Sequence, residues 1–153
     1  MKQKKDATNT LLMLVMAVAA IVALFVLFAN AFEDPTRGTG FAAMFYSYSA
    51  NRNAVPGMII PFVLLIIAII LPFVSPLFAP QGKVFIYGVE FVILAAAGVL
   101  FLFAPAFYKA SNSISYDYNI TLGGGLISSI TFSFIGAAFA LLGVLHAKKE
   151  IAR

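Results

Sequence analysis

The chain has 153 residues, of which 62% are hydrophobic and only 10% charged, against about 25% charged in a soluble domain. With a mean hydropathy of +0.99 a water-soluble fold is excluded, and the length suits a single membrane domain without a soluble companion. The net charge of +4 does not point to nucleic acid, because the lysines and arginines sit at chain ends and span boundaries rather than along one face. Cysteine is absent, which excludes disulfides, thiolate metal sites, cysteine nucleophiles and lipidation on cysteine.

Four apolar runs, 10–32, 57–79, 84–107 and 123–147, each match the roughly 20 residues that cross a bilayer core as a helix. A membrane β-barrel would need segments of about ten residues in strict alternation, and 58–71 does not alternate. The fold class expected is an all-α four-helix membrane bundle.

The first run follows Lys2, Lys4 and Lys5 and ends near Ala29-Asn30-Ala31. A basic start, an apolar stretch and an A-x-A triplet imitate a cleaved signal peptide, but the stretch exceeds the roughly 7–15 residues of such a core and is read as a full span. A loop at 33–56 follows, holding Tyr46, Tyr48 and Arg52. The second run is mostly Ile, Leu, Val and Phe, so its broad side is expected against lipid. Pro72 within it removes the donor to the Ala68 carbonyl and predicts a kink.

A tight turn at 80–83 makes the second and third spans a hairpin. The third span carries Glu90, with Tyr87 one turn before it, and a loop at 108–122 holds Tyr116, Asp117 and Tyr118. Tyr, Asn and Ser in both longer loops suit a binding surface as well as interfacial anchoring. Asn119-Ile120-Thr121 forms a glycosylation sequon close to the next span.

The fourth span opens on Gly123-Gly124-Gly125 and is followed by a tail at 148–153. Its Ser129, Ser133, Gly136, Ala140, Gly143 and Ala147 recur at spacings of three and four, a stripe of small residues that lets helices approach closely. The first and third spans, with their own small residues, are the expected neighbours.

Lysines dominate the ends and the tight turn, whereas Arg37, Arg52 and Lys109 fall on the other side. The positive-inside rule then places both termini in the cytoplasm and the two longer loops outside. Residues 27–32 (LFANAF) and 102–107 (LFAPAF) are each followed by a tyrosine pair and a glycine-led helix opening. This suggests a tandem repeat of two hairpins about an axis along the membrane normal.

Glu90 is the candidate for chemistry, since a carboxylate inside a membrane costs a few kcal/mol unless paired or protonated. Tyr87 is placed to donate to it, and His146 is placed either to pair with it or to sit at the interface near a helix C-terminus. Metal sites usually need several Cys, His or carboxylate ligands, hydrolytic triads need a histidine near a serine, and the triple glycine lacks the lysine of a phosphate loop. No enzyme, cofactor or metal is expected.

Two functional readings follow. The first is a non-enzymatic accessory or scaffold subunit that binds another membrane protein or copies of itself. The second is a small transporter or channel subunit with Glu90 as its proton or cation site. The partners expected are the lipid bilayer and a membrane protein or homo-oligomer, with no nucleic acid. The lysine-rich ends without cysteine fit a bacterial plasma membrane.

Overall fold

A computed structural model describes residues 2–34, 37–45, 53–115, 117 and 119–152, with side chains from Ala7 onward. Among them there are six α-helices and no strand. They are α1 (Lys2–Phe25), α2 (Gly40–Phe45), α3 (Pro56–Val74), α4 (Pro80–Leu102), α5 (Ala104–Ser111) and α6 (Gly124–Ile151). Four segments are long and apolar enough to cross a membrane, Ala7–Phe28, Pro56–Leu77, Pro80–Leu102 and Gly124–Ile151.

The helix ends depart from the apolar runs for local reasons. α1 begins at Lys2, well before the run at 10, and gives way to a 3-10 turn (Val26–Phe28). Residues 29–33 are extended rather than helical because their backbone serves two other segments. Ala31 N–H donates to Gly38 O (3.1 Å), while Gly123 donates to Ala31 O (2.8 Å) and Gly125 to Asn30 O (3.0 Å). The turn expected at 80–83 is the first turn of α4, since Pro80 occupies N1, where its missing N–H costs nothing. The third span stops at Leu102 rather than 107, since Pro105 cannot donate to Phe101, and the chain restarts as α5 with Pro105 in its first turn. The matching segments 27–32 and 102–107 thus take different conformations.

The long helices form a ring in which α1 packs on α3 and α6, and α4 packs on α3 and α6. The packing is small inside and large outside. Every residue of the α6 stripe from Ser129 to Ala147 is buried. A methyl at Gly136 would fall 2.9 Å from Leu94 Cδ1, and one at Gly143 would fall 3.0 Å from the Tyr87 ring. Large apolar side chains such as Leu11, Ile70, Phe85 and Leu145 are exposed, as a lipid-facing surface requires, because lipid tails offer no hydrophobic drive to bury them. α3 is the least buried of the four spans, and both Pro61 and Pro72 lie inside it.

The loop end of the bundle is closed by packing and hydrogen bonds. Phe32 and Tyr108 rings meet at 4.8 Å, and the buried Arg37 lies 5.9 Å over the Tyr108 ring while its Nε is 3.2 Å from Asp34 Oδ2. Asn53 donates from its backbone to Asn112 Oδ1 (2.8 Å) and from its side chain to Ser111 O (3.0 Å), and Thr121 Oγ1 donates to Glu33 Oε2 (2.6 Å). Phe41 and Phe45 of α2 pack on Phe62 of α3 at 5.9 and 5.3 Å, which seats the long first loop on the membrane domain.

Candidate functional site

Glu90 lies ten residues into the 23-residue α4, about 15 Å along its axis at 1.5 Å per residue. That is mid-span, deeper than the start of the apolar run at 84 suggests. The contacts of Tyr87 with Gly143 and of Leu94 with Gly136 fix an antiparallel register that sets Glu90 level with Ala140 on α6. Ala19 of α1 also approaches Gly136, so Met16, one turn earlier, stands at the same level. Met16 and Ala140 have no exposed surface. Glu90 is fully buried too, and neither of its carboxyl oxygens has a hydrogen-bond partner.

The two partners expected from sequence pair elsewhere. Tyr87 is fully buried one turn from Glu90, but its phenol oxygen accepts a hydrogen bond from the Ser75 hydroxyl at 3.3 Å. Side chains on a helix lean toward its N-terminus, so Tyr87 reaches away from Glu90 toward the end of α3. Its ring rests against Gly143, whose missing side chain makes the space.

His146 is six residues past Ala140 on α6, about 9 Å along the axis from the Glu90 level. Its Nε2 is 3.7 Å from Glu150 Oε1 instead, and the same oxygen accepts from Asn9 Nδ2 at 3.3 Å. Glu150 and Asn9 belong to this cluster although neither stands out in the sequence. The only signal is the spacing of four between His146 and Glu150, which puts them on one helix face.

Within the stripe, Ser133 Oγ donates back to Ser129 O at 2.8 Å, the usual way a helical serine satisfies itself. Of the loop candidates, Asp117 is exposed, and Tyr46, Tyr48, Arg52, Tyr116 and Tyr118 lie outside the described residues. Among the described residues no three His, Cys, Asp or Glu side chains gather as a metal cluster would.

No protein-family model, curated protein or solved structure matches the chain. The chemistry must be argued from the residues. A hard metal cation takes six or more oxygen ligands, and the level of Glu90 is set among Met16 and Ala140, which offer no side-chain oxygen. A carboxyl needs no further ligand to bind a proton.

Proposed function

We propose that the chain is a small, non-enzymatic transporter or channel subunit in which Glu90 is the proton-binding group. The observation that carries this reading is a fully buried mid-span carboxyl with both oxygens unpartnered. An ionisable group held there at a cost of a few kcal/mol is a functional-site hypothesis by default. A proton bound or lost at Glu90 is energetically coupled to any movement that changes its surroundings.

The accessory-subunit reading draws support from the packing beyond Glu90. Leu94, Ala97 and Phe101 continue α4 as fully buried apolar side chains, so a proton path across the membrane would be completed at a contact with a second copy or another membrane protein. The two readings meet in a subunit that carries a proton site and works within an assembly.

The lysine pattern supports termini in the cytoplasm of a cell membrane, which reporter fusions at each end would test. The function is tested by flux in reconstituted vesicles under an imposed proton gradient, with native mass spectrometry of gently extracted protein to identify the assembly. Proton uptake lost in Glu90→Gln supports the reading, and uptake equal to that of the unsubstituted protein in the same assembly would sink it.

A further inference from the structure

A cavity of about 260 Å³ lies between α1, the α3–α4 connection and the start of α4; its walls are as apolar as polar, with Met13 and Pro76 beside Asn9, Thr10, Ser75, Lys83 and Tyr87. It is at the end of the bundle where Lys2 and Ile151 end their helices, as the Asn9–Glu150 hydrogen bond requires. A water needs only roughly 10–15 Å³ of such space and two to four polar partners, and the amide, hydroxyls and ammonium group provide them. Asn9 is 8% exposed, and its Oδ1 is buried without a partner.

The inner wall is the Ser75–Tyr87 pair, both residues fully buried. Glu90 stands one helical turn further in on the same face of α4, and helical Cα–Cβ bonds tilt toward the N-terminus, the end where this cavity lies. Past Glu90 the interior turns to Leu94 and Phe101. The lining therefore ends at Tyr87, one helical turn short of Glu90, and on one side only.

We propose that this cavity is a water-filled vestibule through which Glu90 exchanges protons with one side of the membrane, the side that carries the chain ends. This rests on Glu90 being a proton site, as argued above. The charged groups near the path are Lys83 on α4 and, on α6, His146 and Glu150 with the exposed Lys148 and Lys149. α3 and the described side chains of α1 contribute none.

Because the chain has no cysteine, single thiols can be placed without background. Ser75→Cys and Met13→Cys would be exposed in sealed vesicles to a membrane-impermeant methanethiosulfonate from each side, with Leu94→Cys as the dry control. Each variant is first shown to keep its helical circular dichroism and its native mass, so a misfolded Ser75→Cys leaves Met13→Cys to decide. The expected result is reaction at least tenfold faster from the side of the chain ends at both vestibule positions, and no reaction at Leu94→Cys. Equal or slower reaction from that side overturns the vestibule.

The carboxyl infrared band that disappears in Glu90→Gln supplies the second readout. A pH step on the side of the chain ends should change that band, and an equal step on the other side should not. Thiol labelling as expected with a band that answers to neither side would reject Glu90 as the proton site while keeping the cavity wet. Absent labelling with a responding band would reject the vestibule alone.

Discussion

The Ser75 hydroxyl meets the Tyr87 phenol oxygen at 3.3 Å, tying the 3-10 end of the second span to the start of the third. Both groups are fully buried and line the cavity, so each depends on the other or on water held there. Tyr87→Phe is expected to cost about 1 kcal/mol, the net worth of one hydrogen bond whose lost acceptor cavity water can replace. Ser75→Ala together with Tyr87→Phe should cost less than the sum of the single changes. Reversible unfolding in mixed micelles measures this coupling, and strict additivity would mean the two groups do not act as a pair.

Glu90→Leu should make the protein more stable while abolishing proton uptake. Both carboxyl oxygens are unpartnered, and such a buried group costs about 1–3 kcal/mol that an apolar side chain of similar length does not. The same unfolding experiment reads the gain. A protein that instead loses stability in Glu90→Leu would have its carboxyl engaged in a structural hydrogen bond.

The four spans were legible because twenty apolar residues in a row have one use, and the α6 stripe because small residues recur at helical spacing. The span ends were not. Hydropathy runs on through Ala29-Asn30-Ala31 and through Phe103 to Phe107, whereas the chain leaves the helix where its backbone bonds to Gly38 and Gly123 and where Pro105 withholds a donor. Glu90 stood out as a lone acid in an apolar run, but the partners of Tyr87 and His146 depend on how helices register against each other. Ser75 sits across a hairpin and Asn9 on the opposite end of the chain, and nothing local announces either. Glu150 looked like part of a charged tail, yet α6 continues to Ile151 and carries it back to Asn9.

Arg37 closes the loop end by stacking over Tyr108 at 5.9 Å with its Nε 3.2 Å from Asp34. Arg37→Lys keeps the charge but loses the planar group that can stack and bond at once. It should destabilise the protein by about 1 kcal/mol, a value kept small because Asp34 is 42% exposed and solvent weakens the pair. Hydrogen exchange at the backbone of 29–33 and 119–123 should rise with it. Unchanged exchange would show that these segments are held by their own backbone bonds alone.

Adjacent glycines at the start of α6 offer the sharpest test of close packing, because helix propensity is nearly equal at the two positions and only their surroundings differ. A methyl at Gly125 would fall 2.8 Å from Asn30 O and Val26 O, backbone atoms that cannot swing away, whereas one at Gly124 meets nothing within 4 Å. Gly124→Ala should therefore be neutral or slightly stabilising, well under the roughly 1 kcal/mol gain of alanine over glycine in a helix interior, because Gly124 is the first residue of α6. Gly125→Ala should lose about 1–3 kcal/mol through forced backbone shifts and weaken the Gly125 N–H bond to Asn30 O at 3.0 Å. If both substitutions stabilise the protein alike, the first span does not end where its carbonyls face α6.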